Sequence, residues 1–482
     1  MRRLALPLLL IFATVDLMIA VYAQLPFANG PEGWEWVYHP AALEGLGLLV
    51  AAAVMVALIW WAAQDRPGDG RWALPLLILL GWVLTLDVAR AQPGGFRRVM
   101  EALSSRHTFG YVFDEGLAPA TRDLLADYPA ATADLNQHAR THPPGALLAV
   151  RGLDLLGRRL PPPEAGSGSL GALAADSLER EIQRAAARHK PVPRTRPAPG
   201  TLLLLALLLP ALSALAAWPL HRLALRLGLP ENAALLAACF WLVVPARSVF
   251  TPSLDQALPL FLLTAAALAA GPGRWRAFAA GLALFLCLFV TYGYLAPAAL
   301  VGLLAVAPRQ GEPWSSRQSA IRAALLAAGF LLPWIALAIF AGYDPWSAFR
   351  AALTQHRAIA VTPRSYSTWL VGNPYDFALL LGLPILGLAA AALRPRGDRT
   401  YRTAAFRLLT WSWWALLVLL LVSGTVRGEV GRIWLMLMPF ACLLAAAAAT
   451  ERWSRRGLWA GLFLLTEAAL LLVLAANMTF MG

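Results

Sequence analysis

Acidic, imidazole and guanidinium side chains are few in this chain, and they cluster. Asp87 lies at the end of an apolar run, in Thr85-Leu86-Asp87-Val88-Ala89-Arg90. A carboxylate near hydrocarbon is costly unless it faces a water-filled cavity, where it can take a proton from a hydroxyl as a general base. The competing reading is a span that stops a few residues early and leaves Asp87 solvated. Asp114-Glu115 is a second acidic pair, for which a solvated turn is the plainer account. His138-Ala139-Arg140-Thr141-His142-Pro143-Pro144-Gly145 precedes a new apolar run. Proline in the first helical turn fixes φ without losing a hydrogen bond. That arrangement aims Arg140 and His142 from a helix N-terminus, which favours an anion. The plainer reading is a proline-initiated helix and nothing more. Asp255 follows Pro252 at the start of another apolar run and is either a helix cap or a ligand contact. Arg427, Glu429 and Arg432 share one tight polar loop. Two guanidiniums there suit a phosphate group, because each offers a bidentate fork.

The elements that must position these residues are membrane spans. The chain has 482 residues, of which 59% are hydrophobic and 14% charged. Apolar runs of span length recur to residue 476, which excludes a soluble globular class, since about 20 helical residues cross a hydrocarbon core. The fold expected is an all-α polytopic membrane protein of about thirteen transmembrane helices, with a long external loop of juxtamembrane helices between the third and fourth. Runs at 4–24, 41–63, 72–90, 201–219, 232–246, a sixth ending near 271, 277–290, 296–307, 323–342 and three further spans before a last one supply the count. The net charge of +13 is almost wholly arginine. It sits mainly in short loops, so it reads as a topology signal and not as a nucleic-acid footprint. With the N-terminus in the cytoplasm, the arginine-rich short loops alternate on the inner side. Segments 25–40, 91–200, 247–256, 291–295, 343–374 and 424–432 then face out, and nearly all the chemically interesting residues gather on that face. The composition reads as bacterial, which places the chain in the plasma (inner) membrane.

Within the long loop, 160–200 is a unit of its own. Pro161-Pro162-Pro163 and Gly166-Ser167-Gly168 have linker composition. Leu170, Leu173, Leu178 and Ile182 then recur at near-helical spacing, as an amphipathic helix or packed lid would, though a poorly ordered insertion accounts for the composition too. In 343–374, His356, Arg357, Arg364 and Tyr366 line the same outer cavity or belong to an interfacial helix. Asp16 and Glu467 fall in mid-span and read as polar contacts between helices. Cys239, Cys287 and Cys442 all lie in apolar runs and read as small core residues. No metal-ligating constellation is evident, and no phosphate-cradling glycine loop occurs.

A long external loop, then His142-Pro143-Pro144-Gly145, then a ladder of spans resembles the GT-C integral membrane glycosyltransferases, relatives of protein O-mannosyltransferases and aminoarabinose transferases. Pro252-Ser253-Leu254-Asp255-Gln256 and Gly428-Glu429-Val430-Gly431-Arg432 support the likeness. It covers 72–482 as the catalytic module, leaving 1–71 as an additional N-terminal pair of spans. The resemblance implies transfer of a sugar from a polyprenyl-phosphate carrier to an extracytoplasmic acceptor (glycan, lipid or protein), with inversion and no resident cofactor. It implies an acidic base in the first external loop. Here Ala91-Gln92-Pro93-Gly94-Gly95-Phe96-Arg97-Arg98 holds no acid, and Asp87 is the nearest carboxylate. The expected catalytic pair is therefore Asp87 and His142, with Arg140, Asp255, Arg427, Glu429 and Arg432 binding substrate. The bilayer, the carrier-linked sugar and the acceptor are the expected partners; nucleic acid is not, and need for a divalent metal stays open. The alternatives are a lipid-linked sugar transporter or flippase, which would show broken helices and internal repeats, and a GT-C-like partner subunit without a base.

Overall fold

The computed structural model describes residues 2–25, 37–38, 55, 70–161, 169–309, 314–394, 403–452 and 456–479. The expected span at 41–63 and the linker 162–168 lie outside the described residues. What is described is helical, apart from a two-residue antiparallel bridge of Val37–Tyr38 with Met478–Thr479. Six helices are long and apolar enough to cross a membrane: Ala5–Tyr22, Trp72–Ala91, Pro199–Arg226, Ser316–Ala341, Ala404–Ser423 and Leu458–Asn477. A seventh crossing would be the pair Tyr366–Leu381 and Leu383–Ala391, bent by 101°. Four of the remaining expected spans are the shorter apolar helices Glu231–Val243, Leu254–Ala270, Tyr292–Val306 and Leu435–Glu451. The first of these rises only about 20 Å at 1.5 Å per residue, short of a hydrocarbon core of roughly 30 Å. It is buried almost throughout, from Ala233 to Val243, as a central helix packed on all sides. Hydropathy sees the same apolar run in a core helix and in a span; among the described residues six to seven crossings qualify by length and composition, and the count of about thirteen is not confirmed. The architecture is consistent with a multi-pass membrane protein.

Helix starts follow local chemistry. Thr403, Ser315 and Ser365 each accept a backbone N–H three residues on, and Asp344 accepts from Trp346 and Ser347 ahead of Pro345. Each satisfies an orphan donor of a first turn. The break at Gly382 has a positive φ of 96°. A β-carbon there would collide with the Glu467 carboxylate, which instead accepts from the Ile385 amide at 3.3 Å. Glu467 therefore answers the N-terminus of Leu383–Ala391 across a helix interface, as a mid-span acid should. Asp16, by contrast, is exposed on its helix and not sealed between helices.

Residues 91–200 are not a loose loop. Short helices at Gly95–Ser104, Tyr111–Glu115, Thr121–Ala126, Tyr128–Ala131 and Gln137–Thr141 lead to Gly145–Gly157 and Leu170–Ala187. They share an apolar core of their own with the start of Pro199–Leu215 (Leu103, Val112, Leu124, Leu147, Leu202). The amphipathic helix Leu170–Ala187 packs on Gly95–Ser104, where Arg180 meets Glu101 at 3.1 Å. Glu181 accepts the Arg106 amide, also at 3.1 Å. The packed-lid reading of this helix describes it, and its inward face is Ala174, Ser177 and Leu178.

Helices Arg274–Val290 and Ser316–Ala341 approach backbone to backbone. A β-carbon on Gly281 would lie 2.1 Å from the Leu326 carbonyl, and one on Gly329 at 2.1 Å from that of Phe278. Small residues let membrane helices close to this range, where packing contacts supply much of the association energy. Gly281→Ala should therefore cost about 1–3 kcal/mol of stability, as overpacking does. Gly302→Ala, with nothing within 4 Å of its new methyl group, should cost little. Thermal unfolding of the purified variants compares the two; equal melting temperatures would refute the close-packing account.

Candidate active site

One cavity of about 640 Å³ collects side chains from six separate segments. Its polar end holds Tyr111, His138, His142, Asp255, Arg364, Arg427, Glu429 and Arg432. Its other walls are apolar, with Leu258, Leu295, Pro297, Leu353, Ile359 and Leu420. The lining is thus amphipathic: a cluster of charged and hydrogen-bonding groups together with apolar side chains.

Arg432 stands at the centre of the polar end. Its guanidinium donates to Glu429 Oε2, and Nη1 lies 3.4 Å from Asp255 Oδ2. Glu429 Oε1 is met by Arg364 Nη2 at 3.1 Å. Burial alone would raise the Glu429 carboxyl, but the Arg432 and Arg364 guanidiniums outweigh it and hold it below its ordinary value. Glu429 has a φ of 61°, left-handed and unusual for a residue with a side chain. Its neighbours over-determine it: Asn373 accepts the Gly428 amide at 3.0 Å and donates to the Val426 carbonyl, and Asp376 accepts the Gly431 amide at 3.0 Å. A strained backbone held at a cluster of charges marks a site. Arg427 lines the cavity, but its guanidinium is spent on the carbonyls of Gly424, Val361 and Arg364 and rests over the Tyr366 ring. It clamps the loop more than it offers charge to a ligand. His356, also on the wall, meets the Thr425 carbonyl at 2.9 Å.

Asp255 sits in the short turn Leu254–Gln256, stapled by a reciprocal cap between Ser253 and Gln256. Gln256 donates to the Arg247 carbonyl and to Thr251 Oγ1, both at 2.7 Å. Arg247 itself is fully buried and donates to the carbonyls of Gly81 and Leu242. Oδ2 of Asp255 accepts from Ser253 Oγ at 2.9 Å. Oδ1 has no partner among the described residues and is not sealed, so it is the open carboxylate oxygen of the cavity.

The His-Pro-Pro-Gly segment turns into helix Gly145–Gly157 against the end of Arg274–Val290. A β-carbon on Gly145 would lie 2.1 Å from the Phe289 carbonyl, which is why the motif ends in glycine. His142 Nδ1 lies 3.1 Å from the His138 carbonyl, which fixes that nitrogen as the donor and leaves Nε2 an acceptor. His138 Nε2 likewise faces the His107 carbonyl at 3.3 Å. Burial first, then its neighbour His138 and the nearby Arg432, lowers His142 to about 3, so the ring is neutral at ordinary pH. Burial lowers His138 as well. Two uncharged imidazoles at the cavity wall accept hydrogen bonds from hydroxyl groups. They do not bind an anion as cations.

Three expectations need correcting. Asp87 does not line the cavity: it lies on helix Gly70–Ala91 and pairs with Arg90, one turn on, at 2.8 Å. A carboxylate tied to its own helix and outside the cavity is not placed to take a proton from a bound hydroxyl. Arg140 does not line the cavity either; it lies near Asp114, behind the wall. Glu115 receives both oxygens' worth of Arg151 Nε, at 2.8 and 3.0 Å, and ties two helices together. His142, Asp255, Arg427, Glu429 and Arg432 are brought together as expected, though Arg427 is committed to the loop. Asn373 and Asp376 were not singled out in the sequence. They lie in an apolar stretch whose one signal is the pair of polar residues at i and i+3 facing the same loop. Among the described residues no three histidine, cysteine, aspartate or glutamate side chains are grouped to hold a metal ion. No family model, curated protein or solved structure matches the chain.

Asp114 is sealed from water and accepts the Asn136 amide at 3.0 Å, while its other oxygen has no partner. Burial raises its carboxyl from 3.8 to about 7, with the Asn136 amide and the Arg106 and Arg140 charges opposing. A carboxyl raised on folding stabilises fully below its unfolded value of 3.8, and that contribution is lost as pH rises through about 7. The melting temperature of the wild type should therefore fall relative to Asp114→Asn between about pH 4 and pH 7 and run parallel to it above that. Parallel curves for the two proteins across the whole range would show that Asp114 does not titrate there.

Proposed function

We propose that the chain is a membrane glycosyltransferase of the GT-C kind, taking a sugar from a polyprenyl-phosphate carrier. The observation that carries this reading is the cavity's polarity: a paired cationic end joined to an apolar flank suits a phosphate-linked sugar on a prenyl chain. The sequence likeness in His142-Pro143-Pro144-Gly145 and Gly428–Arg432 supports it. In this reading the N-terminus is cytoplasmic and the cavity opens on the extracytoplasmic side of a bacterial plasma membrane.

The chemistry follows from the residues present. The acceptor hydroxyl attacks the anomeric carbon from the face opposite the phosphate. Asp255 Oδ1 takes the hydroxyl proton, in place of Asp87. The bond from the anomeric carbon to the phosphate oxygen breaks, its electron pair stays on that oxygen, and configuration inverts. Arg432, with Arg364 beside it, answers the charge that develops on the leaving phosphate. His142 Nε2 and His138 accept from sugar hydroxyls and orient the donor. Glu429, flanked by two guanidiniums, keeps Arg432 aimed and remains ionised.

A second reading has one observation in its favour. The 101° break at Gly382, with Glu467 at the N-terminus of the second half, is the kind of discontinuous helix that transporters use. Movement of a lipid-linked sugar across a vesicle without cleavage of the sugar–phosphate bond would be its signature.

Purified protein in nanodiscs, given a panel of labelled polyprenyl-phosphate sugars and acceptors, tests both. Asp255→Asn should lower transfer by about 10²–10⁴, the range of a general base, while Asp87→Asn keeps most of it. Full activity in Asp255→Asn with loss in Asp87→Asn would reverse the assignment. Arg432→Lys should lower kcat more than carrier binding, because a single ammonium cannot reproduce two-pronged contact with a charge formed in the transition state. A rise in KM at unchanged kcat would assign Arg432 to ground-state binding instead.

A further inference from the structure

A second cleft, of about 570 Å³, lies at the far end of the helices that bear the large cavity. Helices Leu258–Ala270 and Arg274–Val290 form an antiparallel pair. Leu258 and Thr291, at one end of the pair, face the large cavity; Ala267, Leu268 and Arg276, at the other, line the cleft. From Arg276 to Thr291 the rise is about 22 Å at 1.5 Å per residue, so the two sites lie toward opposite ends of Arg274–Val290. Pro199–Arg226 agrees with this placing: 28 helical residues span about 42 Å, more than a hydrocarbon core of roughly 30 Å. Its last turns, with Arg222 and Arg226, therefore reach the head-group layer.

Three guanidiniums converge there. A β-carbon on Gly271 would lie 3.0 Å from Arg276 Nη1 and 3.1 Å from Arg226 Cζ, so the glycine leaves the room in which the two side chains meet. Arg222 completes the group. Arg226 donates to the Ala267 carbonyl, and none of the three has an ion-pair partner among the described residues. Like charges brought together repel unless an anion sits between them. The remaining walls are Leu225, Leu268 and the half-exposed ring of Trp218, the amphipathic lining that the membrane interface favours. Positive charge on an inner loop needs no such cleft. Three arginines around an apolar-walled recess at head-group depth do.

We propose that this cleft binds the phosphate head group of an anionic phospholipid, with the acyl chains lying along Leu225 and Leu268. The site is separate from the large cavity, and the proposal does not depend on what that cavity does. Native mass spectrometry of the full-length protein, mixed with phosphatidylglycerol and phosphatidylcholine of matched acyl chains, tests it. The wild type should retain phosphatidylglycerol over phosphatidylcholine, and R222Q/R226Q/R276Q should lose about tenfold or more of that preference, as three interfacial charges would give. R222Q alone, at an exposed side chain, keeps the fold safe and should show a smaller loss in the same direction. An unchanged preference in both variants would overturn the proposal. So would loss of the preference in R432Q, which would place the lipid in the large cavity. Displacement of the lipid by millimolar inorganic phosphate would overturn it too, since the site would then be one for a soluble anion.

Discussion

Arg432 sits between two carboxylates that come from distant parts of the chain, and the shape of the cavity depends on that contact. Asp255 opens one helix; Glu429 opens another some 170 residues later, counted on the sequence. A half-buried guanidinium left without partners would cost several kcal/mol, so each carboxylate fixes where Arg432 must be. Arg364 then answers the second oxygen of Glu429 and carries the network into the segment that forms the opposite wall. The two guanidiniums and two carboxylates balance, and Arg427, clamped to carbonyls on the same loop, adds one positive charge. That balance attracts an anionic group without making the empty site untenable.

The network holds because backbone contacts leave it no alternative. Asn373 and Asp376 fix the loop from one side, and the arginine of Arg427 fixes it from the other. Gln256 and Arg247 hold the turn that carries Asp255, with Arg247 reaching the carbonyl of Gly81 in a third helix. Gly145 lets the histidine segment close on the Phe289 carbonyl. Polar side chains that would be costly in hydrocarbon are here each engaged with a backbone group, the requirement for irregular chain at membrane depth.

Much of this was legible in the sequence, for reasons that differ residue by residue. His142, Asp255, Glu429 and Arg432 stand out because charge or imidazole next to an apolar run is costly and so is informative. The helix Leu170–Ala187 was legible through its spacing. Asp87 stood out for the same reason as Asp255 but lies outside the cavity, with one oxygen paired to an i,i+3 arginine, and no linear pattern tells the two cases apart. Arg427 shares its loop with Arg432, and only the fold decides which guanidinium faces the cavity and which is consumed by carbonyls. Asn373 and Asp376 act on a loop more than fifty residues away, which no local signal encodes. The number of spans was not legible from hydropathy, because a buried core helix such as Glu231–Val243 and a membrane crossing have the same composition.

The distribution of polarity bears on which function the cavity can serve. A transporter must release its cargo on both sides, so its polar contacts should lie near mid-depth and be reachable from either surface. Here the charged groups stand at the ends of helices Leu258–Ala270 and Arg274–Val290, with the arginine cleft at their opposite ends and an apolar core between. No polar path among the described lining residues joins the two. The broken helix at Gly382 fits the same picture, since Glu467 accepts an amide at the start of its second half while Asn373 and Asp376, on its first half, brace the loop that carries Arg432. The discontinuity then serves the geometry of the charge network and requires no second access route.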